Sequence, residues 1–300
     1  MPTLTQEKIE ALQEKRQAVD LLHPEETGFR NHLGASVIGN NCKRMVWFNF
    51  RHAKLIKHEA RMIRLFDRGH LEEARFAEML RSIGVEFYDI NPDTKKQFRT
   101  TFAGGHGGGS CDGMGINFPE WLNEWCLTEF KTHGEKSFAT LLKGGVEKAK
   151  PVHYVQIIIY LHRFKLSRCL YGAVCKNTDE VYTEWIEANE ELALKYMAIA
   201  DDIVFGDHVP DRVSDSSAYF ECRWCDYRSL CFHKGEEPHT NCRTCKHVSA
   251  EQEATWHCNI GGEELIPAEL IPNTQKPCQN YEKHDVFMKP KDIKIRLVMK

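Results

Sequence analysis

The sequence predicts an α/β fold, a mixed central sheet flanked by helices. Three observations carry that expectation. Hydrophobic periodicity alternates between the helical repeat and strand-like stretches. The order runs helix, three strands, helices and strands again. Turn chemistry at Asn117-Phe118-Pro119-Glu120 joins two of the strands into a hairpin.

Each element has a local reason. Charged residues surround Ile9, Leu12 and Val19, so Thr5–Leu22 reads as an amphipathic surface helix. Ser36 is an expected N-cap for a helix carrying Cys42, Met45, Val46 and Phe48. Ala60–Ile83 is a longer helix with Ile63, Phe66, Leu71, Ala74, Ala77 and Leu80 on its apolar side, and Gly84 stops it. Val85–Asp89 and Gln97–Phe102 read as strands around the turn Asn91-Pro92-Asp93. The hairpin arms are Ser110–Ile116 and Trp121–Thr132. Ser137–Lys143 and Lys150–Phe164 are helical, with Pro151 acceptable in a first turn. Strands Arg168–Lys176 and Glu180–Glu187 and a helix over Asn189–Phe205 complete the core. No internal repeat is present.

After Phe220 cysteines, histidines, turns and prolines dominate, and Asp285–Lys300 is strand-like and basic. A tail of this texture buries little apolar surface, so metal is expected to help stabilise it. The organisation expected is an N-terminal helical segment over residues 1–33, a main domain over 34–235 and a Cys-rich module over 236–300.

With 300 residues, the chain is long enough for one full core and an appended module. It is 42% hydrophobic and 28% charged, as a soluble globular protein is. The apolar run Ile157–Leu161 is far too short for a bilayer, and Met1–Asp20 has no apolar segment of signal-peptide type. A cytoplasmic chain with no membrane partner is expected. Its twelve cysteines are too few for a small disulfide scaffold, and in a reducing cytosol clustered cysteines hold metal. Cys111, Cys126, Cys169 and Cys175 lie in apolar stretches and are expected as small buried hydrophobes.

The net charge of -3 makes no global case for nucleic acid. Between Lys43 and Arg68, however, Lys43, Arg44, Arg51, Lys54, Lys57, Arg61, Arg64 and Arg68 face only Glu59 and Asp67. That run is expected to be either a positive arm for a polyanion or a solvated helix face.

Glu129-Phe130-Lys131 supplies the chemistry. Residues i and i+2 of a strand share a face, so Glu129 and Lys131 point together while Thr128 and Phe130 face the core. Asp112, on the other hairpin arm, can lie opposite them. Two carboxylates suit a hard cation, Mg2+ or Mn2+, with Lys131 placed to orient a water. The glycines before Asp112, from Gly104, allow a phosphate backbone to come close and predict a mobile loop.

These residues resemble the PD-(D/E)XK superfamily in its RecB-type nuclease branch. The matching positions are Gly69-His70, Asp112-Gly113, Glu129-Phe130-Lys131 and Gln156-x3-Tyr160. The resemblance implies a restriction-endonuclease-like core and metal ligation by His70, Asp112, Glu129 and the Phe130 carbonyl. It also makes Lys131 the water-activating group and Gln156 and Tyr160 site-facing residues.

Cys42 with Cys222-x2-Cys225-x5-Cys231 resembles the iron–sulfur subset of the same branch. There four such cysteines hold a 4Fe–4S cluster that joins the N- and C-terminal segments around the core. Cys242, Cys245, Cys258 and Cys278 would then form a second site, expected to hold Zn2+, with His247 and His257 as substitute ligands. A zinc ribbon of Cys222, Cys225, Cys242 and Cys245 also satisfies known spacing and stays open.

The expectation is a metal-dependent DNA exonuclease acting at single-stranded or frayed duplex ends in recombination, repair or processing. By the resemblance it belongs in a bacterial or phage-infected cell. A separate helicase or recombination protein is an expected partner, and oligomerisation is left open. A non-catalytic DNA-end-binding adaptor and an endonuclease of the same fold are the alternatives.

Overall fold

The central strands bury side chains on both faces, so helices must cover the sheet twice. The computed structural model describes residues 11, 31–56, 58, 60–264 and 278–288. Its elements are β1 (Leu33–Gly34), α1 (Ala35–Ile38), α2 (Lys43–Phe50), α3 (Ala60–Ser82), β2 (Glu86–Tyr88), β3 (Arg99–Phe102), β4 (Gly107–Ser110) and β5 (Gly113–Ile116). Next come β6 (Cys126–His133), α4 (Glu135–Ala149), α5 (Pro151–Phe164), β7 (Arg168–Cys175), β8 (Val181–Glu187) and α6 (Glu190–Phe205). The cysteine-bearing part adds α7 (Phe220–Arg223), α8 (Arg228–Cys231), β9 (Val248–Ala250), β10 (Trp256–Cys258) and β11 (Glu263–Glu264).

The main sheet has the order β2-β5-β6-β7-β8. Only β6 and β7 pair in parallel, with Glu129 beside Tyr171 and Lys131 beside Ala173. A parallel pair needs a long crossover, and α4 with α5 supplies it. On one face Phe130 stacks on Phe76 of α3, the ring centroids 4.7 Å apart. A Cβ at Gly172 would stand 2.9 Å from the Phe130 ring, so only glycine fits next to it on β7. On the other face α5 buries Val155 through Leu161. That second face is where Glu129 and Lys131 project.

Several expectations change. The helix with Ser36 as N-cap is two short helices, and Ser36 lies inside α1, while Cys42 sits at the N-cap position of α2. On α3 the buried apolar residues are Phe76, Ala77 and Leu80; Phe66 and Leu71 are exposed. The hairpin arm Ser110–Ile116 is broken, β4 joining a second sheet of order β1-β4-β3 and β5 entering the main one. The expected mobile glycine loop from Gly104 is instead a 3-10 turn over Ala103–Gly105 followed by strand β4, which is hydrogen-bonded on both sides. Its glycines are there for space: a Cβ at Gly109 would lie 2.2 Å from the Tyr160 hydroxyl, and one at Gly107 2.3 Å from the Phe102 ring.

The first half of the basic run, Lys43 to Lys54, does not survive folding as a free surface, whereas Arg61 on α3 is exposed. Lys43 donates to the Ile38 and Asn40 carbonyls, Arg44 to the Pro210 carbonyl, and Lys54 pairs with Glu236. Arg51 is buried. Lys57 and Glu59 lie outside the described residues, as does all but one residue of the expected Thr5–Leu22 helix.

The tail also packs better than its composition suggests. Trp256 is fully buried and stacks on Phe50 of α2 at 5.2 Å. Val248, Ala250 and Phe287 join the same core as α2, α5 and α6. Arg51 and Arg243 lie 5.2 and 4.8 Å from the Trp256 ring, with hydrogen bonds to backbone carbonyls. Burial depresses both guanidiniums, to about 10 for Arg51 and, with Arg51 adding repulsion, about 9 for Arg243. Of the expected strand Asp285–Lys300, Asp285–Phe287 is a 3-10 turn and residues 289–300 lie outside the described part. Among the described residues no helix is long and apolar enough to cross a membrane.

Candidate active site

Asp112 occupies the break between β4 and β5. The neighbouring register pairs Gly113 with Thr128, which brings Asp112 level with Glu129. Its Oδ2 accepts from the Phe130 amide at 2.6 Å. That bond clamps the β6 backbone while the Phe130 ring points to the opposite core. A cleft of about 440 Å³ opens here, lined by Asp112, Glu129, Lys131, Gln156, Tyr160 and His70. All six side chains proposed from sequence therefore reach one cleft. His70, on α3, is exposed at its mouth.

The centre is Glu129, 1% exposed. Its Oε1 accepts from the Lys131 ammonium and from Gln156 Nε2 at 2.8 Å. Gln156 also reaches the Tyr160 hydroxyl at 3.4 Å. Glu129 Oε2 is buried with no hydrogen-bond partner in the described structure. Burial first, and the Asp112 charge next, push the Glu129 carboxyl up to about 8 against the pull of Lys131. For Lys131 burial alone would favour the neutral amine, but Glu129 and Asp112 outweigh it and raise its pKa.

Two cleft residues escaped the sequence reading. Glu73 lies on α3 one turn beyond His70, and its carboxyl is raised by burial and then by Asp112, with His70 and Lys131 opposing. The spacing from His70, three residues along one helix face, was a usable signal. His153 lines the same cleft and precedes Gln156 by three on α5. Its signal was the shared face of His153, Gln156 and Tyr160.

An orphaned carboxylate oxygen beside a second carboxylate and a histidine suits a hard divalent cation. Among the described residues, no group of three or more His, Cys, Asp or Glu side chains is disposed to hold a metal ion as it stands. The donor types and the unsatisfied Oε2 fit an ion; closing on it requires side-chain movement.

Cys42, Cys222, Cys225 and Cys231 line a separate cavity of about 370 Å³, beyond Val152 from the cleft. Cys242 and Cys245 are not among its walls. Burial raises the thiols of Cys222, Cys225 and Cys231, that of Cys225 to about 11, and Cys42 adds to each shift. Arg44 and Arg212 oppose the rise at Cys231. Thiolates are the donor type for an iron–sulfur group, but as they stand these four cysteines share a cavity without being disposed around a common metal position. Across this cavity Asn41 donates to Glu221 at 3.0 Å, tying the two ends of the core together.

Of the tail cysteines, Cys245 is buried, Cys242 and Cys258 half-buried and Cys278 exposed. The Gly261 amide donates to Cys258 Sγ at 3.5 Å. His247 is engaged by Glu282 at 3.1 Å, and His257 lies in β10 opposite Glu264. The four cysteines expected as buried hydrophobes, Cys111, Cys126, Cys169 and Cys175, are buried.

No protein family matches the chain, and no curated protein does. Among solved structures, the crystal structure of SSO0001 is similar at 16% identity and TM-score 0.48, over 76% of this chain and 97% of that one. The alkaline exonuclease LHK-Exo from Laribacter hongkongensis is similar at 15% identity and TM-score 0.39, over 63% and 92%. LHK-Exo in complex with dAMP gives 14% and 0.40, over 63% and 90%. Likenesses of this size leave the chain's chemistry to be read from its own residues.

Proposed function

We propose that the protein is a divalent-metal-dependent nuclease that hydrolyses DNA phosphodiester bonds. The observation that carries this is the buried Glu129 carboxyl, gripped by Lys131 and Gln156 at one oxygen and unsatisfied at the other, across from Asp112. Glu129, Asp112, His70 and the Phe130 carbonyl would hold Mg2+ or Mn2+, with Glu73 within reach. When bound, the cation supplies Lewis acidity toward a phosphate oxygen and acidifies water.

The chain's own residues do the rest. Gln156 fixes the Glu129 rotamer, and Tyr160 supports Gln156 from the next turn of α5. Lys131 stays cationic and can steady an attacking oxygen or the charge growing on phosphorus. Asp112 holds the Phe130 peptide in register. Action at single-stranded or frayed DNA ends, in recombination, repair or processing, rests on the motif resemblance, as does a separate helicase or recombination partner.

For the sulfur sites we propose a 4Fe–4S cluster on Cys42, Cys222, Cys225 and Cys231, supported by their shared cavity. Zn2+ on Cys242, Cys245, Cys258 and Cys278 is proposed from their spacing. Anaerobically purified protein is expected to be brown, with iron and sulfide; colourless protein with zinc alone supports the ribbon instead.

End-labelled linear DNA with Mg2+ or Mn2+ tests the activity. Cleavage by the wild type and none by Lys131→Ala or Glu129→Ala is expected. Equal cutting by all three removes these residues from the mechanism, and metal-independent binding without cutting supports the adaptor. Opening of circular single-stranded DNA identifies an endonuclease.

A further inference from the structure

A chain of polar groups runs behind the cleft and ends in it. The Lys150 ammonium donates to Ser137 Oγ at 2.6 Å. Ser137 Oγ meets His133 Nδ1 at 3.2 Å, and His133 Nε2 meets the Tyr171 hydroxyl at 3.0 Å. The same hydroxyl meets His153 Nδ1 at 3.1 Å. His133 and Tyr171 are buried, and His153 lines the cleft with Lys131 and Glu129.

One direction of donation uses every hydroxyl hydrogen within the chain, with Ser137 Oγ and the Tyr171 oxygen each accepting once and donating once. An ammonium has donors and no acceptor, so Ser137 Oγ accepts from Lys150. In that arrangement its single hydrogen goes to His133 Nδ1, the bare nitrogen of a neutral ring. The proton of His133 therefore sits on Nε2 and is given to the Tyr171 oxygen. Tyr171 passes its own hydrogen to His153 Nδ1. That leaves the His153 proton on Nε2, the nitrogen without a described partner. Burial, before the neighbouring lysines, depresses both imidazoles, His133 to about 4 and His153 to about 3, so both rings are neutral near pH 7.

We propose that His153 is a substrate-contacting residue whose Nε2–H donates to a phosphate oxygen of the bound DNA. Its tautomer is fixed by the relay from Lys150 through Ser137, His133 and Tyr171. The phosphodiester assignment rests on the nuclease reading; the existence of the donor does not. A neutral donor suits this place. It grips a phosphate oxygen without adding a second positive charge beside Lys131 or competing for the metal, as an Nδ1–H ring with a bare Nε2 would.

Two measurements decide it. Long-range proton–nitrogen spectra of the metal-free full chain, labelled at histidine, are expected to show both rings as neutral Nε2–H tautomers. Adding inorganic phosphate should shift the His153 Nε2 signal, and Ser137→Ala should move His133 and His153 toward mixed tautomers. A His153 proton on Nδ1, or an Nε2 signal blind to phosphate, overturns the proposal. With DNA and Mg2+, His153→Ala is expected to lower kcat/KM about tenfold, about 1.4 kcal/mol. His153→Gln, which keeps an N–H donor, should recover to within about threefold. Wild-type rates in His153→Ala overturn the contact. If the wild type itself does not cut DNA, the nuclease reading fails, and the spectra still decide the phosphate donor.

Discussion

Two sites in this molecule bury ionisable groups and treat them differently. Arg51 and Arg243 lie under Trp256 with no carboxylate in ion-pair contact among the described residues, yet carbonyl oxygens and aromatic faces surround them. Glu129 is as deeply buried, and one of its oxygens faces nothing. Arg51 Nε and Arg243 Nε are also buried without a hydrogen-bond partner among the described residues, but aromatic rings wall them in and the pair holds the tail to α2. The Glu129 site is left open toward a polar cleft. A buried polar atom without a partner costs about 1–3 kcal/mol, and of these two sites only Glu129 lines a cleft where a ligand could remove that cost.

The sharpest break of this comparison is Glu129→Gln. It should reduce metal-dependent cleavage by about a thousandfold or more, while thermal unfolding in EDTA shows no loss of stability. A large drop in stability would mean that Glu129 is structural, like the arginines. Trp256→Ala should do the reverse. Urea unfolding is expected to show a loss of about 3–5 kcal/mol, since the ring fills the core and caps both guanidiniums. Cleavage per folded molecule should change little.

Gly109→Ala links the two kinds of effect. The new methyl meets the Tyr160 hydroxyl, so about 1–3 kcal/mol of stability should go and cleavage should fall with the displaced Tyr160–Gln156 pair. Loss of stability alone would separate β4 from the site.

The smallest effect is in pH. The Glu129 carboxyl is raised to about 8 in the folded, metal-free chain, against about 4.3 unfolded. Between those values the folded state holds a proton that the unfolded state has released. This group's stabilising contribution is therefore complete below about 4.3 and declines as pH rises toward about 8. The melting temperature in EDTA should fall across that window, and saturating Mg2+ should flatten the slope. Calorimetry in buffers of different ionisation heat should show proton release on metal binding near pH 7, disappearing above about pH 9.

The sequence placed α5 and the end of β6, with Glu129 and Lys131 on one face, within a residue, but began that strand five residues early at Trp121. Those elements are long, and strand and helix periods fix which side chains share a face. It failed at β4, because Gly107–Ser110 carries no side-chain pattern and becomes a strand only by pairing with distant Leu33–Gly34 and Arg99–Phe102. Glu73 was missed because an acidic residue on a charged helix looks the same whether it faces solvent or a cleft. The basic run Lys43–Arg68 misled for the converse reason: its carbonyl and carboxylate partners lie up to 197 positions away, as in Arg51 with the Val248 carbonyl.

What the sequence determined by itself is local: element type, facing of side chains, and a set of donors suited to a hard cation and to iron or zinc. The tertiary structure decided which of those donors share a cleft, that the Cys-rich tail closes onto α2, and that Lys150, Ser137, His133, Tyr171 and His153 form one chain of polar contacts. Those facts depend on contacts between segments far apart in the chain, and the burial they create sets the charge and proton positions that no short window of sequence contains.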